Sequence, residues 1–152
     1  MAYQALQNYL NEHIPLSYAM GVKVEAASDN AVTLSAPLKP NINHRDTVFG
    51  GSASAVAILS AWTLLYVRLN QEGISSRVVI QRNTMNYMRP IDNAFTATAG
   101  IQDAATWEKF LQVLKRRNRA RISVGVALHC NGEKVGELDG DFVALGIQTI
   151  ES

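Results

Sequence analysis

The stretch that decides the fold is Asn43–Val67, NHRDTVFGGSASAVAILSAWTLLYV. It begins as a polar loop, passes through Gly50-Gly51, and continues as an apolar run without a charged residue until Arg68. A glycine pair at the start of a helix lets a ligand approach the backbone and leaves unpaired N–H groups facing it. The stretch therefore predicts a long uncharged helix, over residues 52–70, with a ligand-facing start.

The apolar part of this stretch, Val48–Val67, is also long enough to raise the question of a membrane span, which takes about 20 apolar residues. It contains two glycines, three serines and a threonine, and it is rich in alanine. We therefore interpret the run as a helix buried inside a folded domain, and we expect no membrane partner.

The whole chain, residues 1–152, has the length and composition of a single globular domain. Its 47% apolar and 18% charged residues are ordinary values for folded proteins. The net charge of +1 predicts no general attraction to nucleic acid. Cys130 is the only cysteine, which excludes an intrachain disulfide and a cysteine-based zinc site. With no signal-peptide pattern in Met1–Pro15, we expect a cytoplasmic protein.

Segments on both sides of the central run show the alternation that is typical of β-strands. Turn signals at Asp29-Asn30, Asp92-Asn93 and Asn131-Gly132 group these strands into three hairpins. Hairpins predict an antiparallel sheet and an α+β fold, with the sheet wrapped around the central helix. The predicted strands are residues 20–27, 31–37, 78–87, 94–101, 121–130 and 135–145.

Two further helices are predicted, one on each side of the central run. A short N-terminal helix covers Tyr3–His13 and ends at Pro15. An additional amphipathic helix lies in residues 103–119, before the last two strands, with Asp103 as its N-cap. Its apolar stripe follows the i, i+3, i+4, i+7 pattern and consists of Trp107, Phe110, Leu111 and Leu114.

The order of these elements and three motifs resemble the hotdog-fold thioesterases over nearly the whole chain. The motifs are Asn43 in the loop, Gly50-Gly51 seven residues later, and an N-x-x-Y-x-x-P-like strand ending at residues 84–90, TMNYMRP. Within that superfamily the chain looks most like the thioesterase domain that is fused to some bacterial GNAT acetyltransferases. That likeness rests on FGGS at Phe49–Ser52 and on a segment like Lys115–Ile122 after an extra helix.

The resemblance implies a homodimer, which could pair further into a tetramer, with the thioester channel at the subunit boundary. It implies hydrolysis of an acyl-CoA or acyl-carrier-protein thioester without a metal or bound cofactor. In that scheme the backbone N–H of Gly51, with Gly50 as a second candidate, holds the carbonyl oxygen. Asn43 orients water or the carbonyl, and a carboxylate acts as base or nucleophile.

The chain departs from these thioesterases at the carboxylate. Relatives with this glycine pair carry it on the central helix, seven residues after the second glycine, where this chain has Ile58. No acid occurs in Thr47–Asn70, and the nearest is Asp46, where those relatives usually carry glycine. We therefore predict Asp46 as the catalytic carboxylate, His44 as a second candidate base and Ser54 as a candidate channel residue. Capping, turn formation and close packing are the structural alternatives for these residues.

A basic run lies at the end of the last predicted helix. Arg116, Arg117 and Arg119 are explained equally by the preference of helix C-termini for cations and by outward strand positions. If they bind a ligand, the compact phosphates of CoA suit them better than nucleic acid does, because charge is balanced elsewhere in the chain.

The sequence thus supports three hypotheses about function. The first is a cytoplasmic acyl-thioester hydrolase that uses Asn43, Asp46 and the Gly51 amide. The second, motivated by Ile58, is a protein that binds acyl-CoA or acyl-carrier protein without catalysis. The third is a hotdog hydratase or dehydratase, in which only His44 and Asp46 could imitate the usual acidic and histidine pair.

Overall fold

The uncharged run forms one helix through the middle of the fold. The computed structural model describes residues 3–149, which form four α-helices, one 3₁₀ turn and six strands. The helices are α1 (Gln4–His13), α2 (Pro15–Ala19), α3 (Gly50–Gln71) and α4 (Ala104–Arg117), and the 3₁₀ turn covers Lys39–Asn41. The strands are β1 (Lys23–Ala27), β2 (Ala31–Ala36), β3 (Ile74–Tyr87), β4 (Phe95–Gly100), β5 (Arg119–Cys130) and β6 (Glu133–Thr149).

Helix α3 starts at Gly50, two residues before the predicted start, because Phe49 is its N-cap and both glycines lie in its first turn. The hydroxyls of Ser60 and Thr63 are buried and donate to carbonyls one turn earlier in the same helix. By length and composition α3 could cross a membrane, but 56% of its most apolar window is buried within the fold. The interpretation as a core helix is therefore the one that the packing supports.

One antiparallel sheet curves around α3, with the strand order β1-β2-β4-β5-β6-β3. Strands β2 to β6 all pack against α3, and the buried face of the sheet shares one hydrophobic core with that helix. The predicted α+β architecture is confirmed: an antiparallel sheet around a long helix, a short N-terminal helix, and an amphipathic helix before the last two strands.

Two of the three predicted hairpins are confirmed and one is wrong. β1 pairs with β2, and β5 pairs with β6 through Asn131-Gly132, where both residues have positive φ. The predicted pairing of β3 with β4 does not occur, because β3 pairs with β6 at the sheet edge and β4 lies between β2 and β5. The segment that connects β3 to β4 crosses the end of the sheet, where the Met88 N–H donates to the Val135 carbonyl at 2.9 Å. Asp92-Asn93 is therefore part of a crossing segment and not a hairpin turn.

The N-terminal region contains one helix more than the sequence predicts. Pro15 ends α1 as expected, but it also lies in the first turn of α2, where its missing N–H costs no helical hydrogen bond. Gln7 fixes α1 to the sheet, because its side chain donates to the Val22 carbonyl at 2.8 Å and accepts the Val24 N–H at 2.7 Å. With α1 anchored in this way, α2 and its flanks lie against α3.

Helix α4 has the predicted N-cap and apolar stripe. The Asp103 carboxylate accepts the Thr106 N–H at 2.7 Å, and this hydrogen bond lowers the pKa of Asp103. The four predicted stripe residues are all buried. The Arg68 guanidinium lies 4.3 Å from the centre of the Trp107 ring, and this cation–π contact joins α4 to the C-terminal end of α3.

Candidate active site

A short loop before α3 carries three of the predicted site residues. Its ends form an isolated antiparallel bridge between Ile42 and Val48. The tip, residues 44–46, reverses direction within three residues, and Asp46 takes a positive φ of 62°. Three-residue turns commonly end in a left-handed residue, where glycine is favoured and aspartate is tolerated. This conformation accounts for the glycine that relatives usually carry at the position of Asp46.

The Asn43 side chain gives this loop its shape. Its Oδ1 accepts the N–H groups of Arg45 (2.8 Å) and Thr47 (3.2 Å), and its Nδ2 donates to the Thr47 hydroxyl at 3.0 Å. These bonds use the side chain within the loop, as in other turns that asparagine nucleates. The geometry therefore gives Asn43 a positioning role, and its direct action on water or a carbonyl stays a prediction.

His44 and Asp46 present their side chains to solvent at the tip of the loop. Within residues 3–149, neither side chain takes part in an ion pair. They follow Asn43 by one and three residues and precede Gly50 by six and four residues. The loop therefore offers two unengaged titratable groups immediately before the helix start.

Asn41 holds this loop in place, although it was not among the site residues predicted from the sequence. Only 2% of the residue is exposed, and its Nδ2 donates to the carbonyls of Met20 (2.9 Å) and Pro37 (2.8 Å). Its own carbonyl accepts the Phe49 N–H at 2.7 Å, which fixes the residue that caps α3. Asn41 thus ties three segments to the helix start. An asparagine in a proline-rich loop gives no sign in the sequence that it is buried.

The start of α3 exposes unpaired backbone donors. The N–H groups of Gly50 and Gly51 have no acceptor among residues 3–149, as expected for the first turn of a helix. The Tyr87 hydroxyl donates to the Gly50 carbonyl at 3.0 Å, and a Cβ on Gly50 would lie 3.4 Å from the Tyr87 ring. A Cβ on Gly51 would overlap the ring of Phe49, which is 59% exposed. Two aromatic rings therefore flank the glycine pair, and both come from motifs that the sequence already showed.

An apolar groove lies along α3 and begins one turn after this start. Gly51, Ala55, Ile58 and Trp62 are spaced four, three and four residues apart, so they share one face of the helix. The last three line a groove of ≈ 280 Å³. Ser54 is half-buried beside this face and is not one of the lining residues. The other walls consist of Ile14, Leu16 and Met20 around α2, Leu59 of α3, Ile80 of β3 and Phe142 of β6.

The groove also explains the missing helical carboxylate. Ile58 lies in its middle among apolar side chains, where a carboxylate would lose hydration without gaining a partner. Ile58, at the position where the resemblance implies an acid, is therefore part of the apolar wall of the groove.

The predicted arginines lie at the far end of the sheet, where α4 meets β5. Arg117 and Arg119 line an open cavity of ≈ 510 Å³ together with Arg121, whereas Arg116 is not one of the lining residues. None of these arginines forms an ion pair within the part of the chain that the structure describes. Gln81, Val113, Ala120 and Val143 complete the walls.

Known proteins with this architecture include several that are described as thioesterases. The family described as "Putative thioesterase (yiiD_Cterm)" matches residues 3–146. A structure of a protein of unknown function from Chlorobaculum tepidum is similar with a TM-score of 0.90 and 26% identity, over 95% of this chain and 94% of that one. A "putative thioesterase" from Shewanella oneidensis is similar with a TM-score of 0.83 and 25% identity, over 93% and 95%. A "probable thioesterase" from Pseudomonas aeruginosa shares the fold, with a TM-score of 0.80 and 21% identity over 93% and 95%. The chain therefore belongs to this putative-thioesterase family and has the hotdog fold.

Proposed function

We propose that the protein hydrolyses acyl-CoA or acyl-carrier-protein thioesters at the start of α3. The observation that carries this proposal is the pair of unpaired N–H donors of Gly50 and Gly51, one helical turn before an apolar groove along the same helix. Such a pair of features suits a thioester, whose carbonyl oxygen needs hydrogen-bond donors and whose acyl chain needs an apolar surface.

The reaction needs a base in addition to these donors. Asp46 takes a proton from water, and the water oxygen attacks the thioester carbonyl carbon while the Gly51 N–H holds the developing oxyanion. The C–S bond then breaks, and the proton on Asp46 passes to the leaving thiolate. Asn43 keeps the loop that carries Asp46 in one conformation. The products are a carboxylic acid and a free thiol.

The homodimer implied by the resemblance and the cytoplasmic location expected from the N-terminal sequence remain our expectations. The exposed edge strand β3 supports the dimer, because its outer side pairs with no strand within residues 3–149 and Val79 is 40% exposed. Pairing of two such edges would bring the two helix starts toward a common boundary.

Gly51→Ala is expected to lower kcat/KM for acyl-CoA by at least about tenfold, because a partial block costs part of the roughly 10²–10³-fold that the loss of an oxyanion donor costs. The added methyl overlaps the Phe49 ring, so that ring or the first turn of α3 must shift beside the Gly51 N–H. The measurement is release of free thiol from a series of acyl-CoA esters.

Gly50→Ala is the matched control, because its methyl makes an ordinary contact of 3.4 Å with the Tyr87 ring and it has the same effect on helix propensity. We expect it to change kcat/KM less than threefold. Equal activity of Gly51→Ala and wild type would contradict a site at this glycine pair.

We further propose that the arginine cavity holds the phosphates of CoA. Arg117, Arg119 and Arg121 are close together, are not ion-paired in the described chain, and surround a concave surface, which suits a compact polyphosphate. Arg119→Ala should raise KM for acyl-CoA about fivefold, because an exposed charge pair contributes on the order of 1 kcal/mol.

Two comparisons make this prediction specific. Acyl-pantetheine esters, which lack the nucleotide, should show the same KM with Arg119→Ala and wild type. Arg116→Ala, a change of the same charge outside the cavity, should leave both KM values unchanged. A rise in KM for acyl-pantetheine as well would contradict phosphate binding at Arg119.

A second candidate function is acyl-thioester binding without catalysis. It is favoured by Ile58, because α3 carries no carboxylate from Gly50 to Gln71 and the groove at this position is apolar. Micromolar binding of acyl-CoA without thiol release over the whole chain-length series would support this candidate. Turnover that exceeds the uncatalysed rate would remove it.

A further inference from the structure

Trp62 stands between the apolar groove and a second, smaller cavity. It is the last residue of α3 along the groove of ≈ 280 Å³, and it also lines a cavity of ≈ 70 Å³ beyond. Its indole N–H donates to the Val78 carbonyl at 3.1 Å. Its ring stacks on Tyr66 with 5.4 Å between centroids and an angle of 8° between planes, and Tyr66 stacks on Tyr9. The indole is therefore held in one orientation across the end of the groove.

We propose that Trp62 determines specificity by setting the longest acyl chain that the groove accepts. This inference rests on the proposed function, because it takes the acyl chain of a thioester as the occupant. An acyl chain is the expected occupant because the carbonyl site and the groove lie on one face of α3. Gly51, which offers the carbonyl site, shares that face with Ala55, Ile58 and Trp62. The lining is apolar on every wall, so a charged or polar ligand would lose hydration in it.

The distance along α3 from Gly51 to Trp62 gives the expected length of the acyl chain. Gly51 and Trp62 are 11 residues apart, which corresponds to about 16 Å along a helix that rises about 1.5 Å per residue. An extended alkyl chain advances about 1.3 Å per carbon, given C–C bonds of about 1.5 Å. The path therefore holds up to about 12 carbons. The volume of ≈ 280 Å³ lies just below the usual range of ligand sites, about 300–1,000 Å³, which favours medium chains over long ones.

The test is a binding series with non-hydrolysable acyl-CoA thioethers of 4 to about 16 carbons, measured by calorimetry. With wild type, Kd should fall about fourfold for each added methylene and stop falling near the limit that Trp62 sets. Trp62→Ala opens the groove into the cavity behind it, so this limit should move by at least about two carbons. Longer chains should then bind about tenfold tighter than they bind wild type.

Ile58→Ala is the matched control within the same groove. Ile58 lines the middle of the path, so its truncation should weaken the binding of all longer chains and leave the length limit where it is. Trp62→Phe keeps an aromatic ring but loses the hydrogen bond to Val78, and it should move the limit less than Trp62→Ala does. Phenylalanine retains most of the ring at this position. Trp62→Phe therefore replaces Trp62→Ala in the test if the melting temperature shows that Trp62→Ala does not fold.

Each outcome decides the proposal. An unchanged length limit in Trp62→Ala, or in Trp62→Phe where only that variant folds, would overturn it. Wild-type affinity that does not depend on chain length would also overturn it and would indicate that a second copy of the chain covers the groove. Thiol release, assayed in parallel, distinguishes failure of the proposed hydrolysis from failure of the proposed role of Trp62. If wild type shows a length limit but no turnover, the proposal of hydrolysis is wrong and the role of Trp62 stands. Turnover with an unchanged limit in the variant would remove only the role of Trp62.

Discussion

Asp46→Asn is expected to lower kcat for acyl-thioester hydrolysis by at least about 100-fold, the usual loss when a general base is removed. Asparagine keeps the size of the side chain and tolerates the left-handed backbone, so the φ of 62° at this position should be retained. The change therefore removes a charge and a proton acceptor without reshaping the loop. Thiol release at saturating acyl-CoA measures kcat, and the melting temperature should stay within a few degrees of wild type.

Three further variants define the result. Asp46→Ala should lose the same activity and also some stability, because alanine adopts positive φ at a cost of about 1–2 kcal/mol. Asp139→Asn, which changes an exposed acid on β6, should leave kcat unchanged. His44→Gln tests the second candidate base. Full activity in both Asp46 variants would contradict the role of Asp46, and a loss in His44→Gln alone would transfer that role to His44.

Asn41→Asp is expected to lower the free energy of unfolding by about 2–4 kcal/mol, since each buried acceptor that loses its donor costs about 1–3 kcal/mol. The carbonyls of Met20 and Pro37 both depend on the Asn41 amide N–H groups, and the variant would place a carboxylate against them. Because the backbone carbonyl of Asn41 accepts the Phe49 N–H, a shift of Asn41 should also displace the start of α3 in the protein that still folds. Urea unfolding followed by circular dichroism measures the change.

Asn43→Asp is the matched control, two residues away in the same loop. The Oδ1 of Asn43 accepts N–H groups from Arg45 and Thr47, and a carboxylate can accept the same bonds. The Thr47 hydroxyl, which loses the Nδ2 donor, lies 3.3 Å from Oδ1 and can donate to the carboxylate instead. This variant should change the free energy of unfolding by less than about 1 kcal/mol. Equal destabilisation by the two substitutions would contradict the anchoring role of Asn41.

The features that could be predicted from the sequence are those with local causes. The uncharged run and the glycine pair give α3, four apolar residues at helical spacing give the buried stripe of α4, and Asn131-Gly132 gives its hairpin. The partner of β3 could not be found in this way. Asp92-Asn93 has the composition of a turn, whereas β3 pairs with β6, about 60 residues later, because of packing that no local pattern records.

In the candidate site too, the features with local causes could be predicted and those that depend on long-range packing could not. The loop of Asn43 and Asp46 and the glycine pair follow from short motifs, and the structure places them in consecutive segments at the helix start. The groove depends on residues around α2, and this helix was not predicted from the sequence. Pro15 indicates the end of one helix more strongly than the beginning of another. Trp62 and Asn41 depend on burial and on partners distant in the chain, so composition alone could not assign them roles.

The left-handed backbone at Asp46 has a consequence for engineering. Glycine adopts this conformation without steric cost, so Asp46→Gly is expected to preserve or raise the melting temperature while it removes the carboxylate. A library selected only for heat resistance or yield would therefore enrich a well-folded protein that lacks the proposed base. Selection for stability in this chain needs a hydrolysis assay beside it at every round.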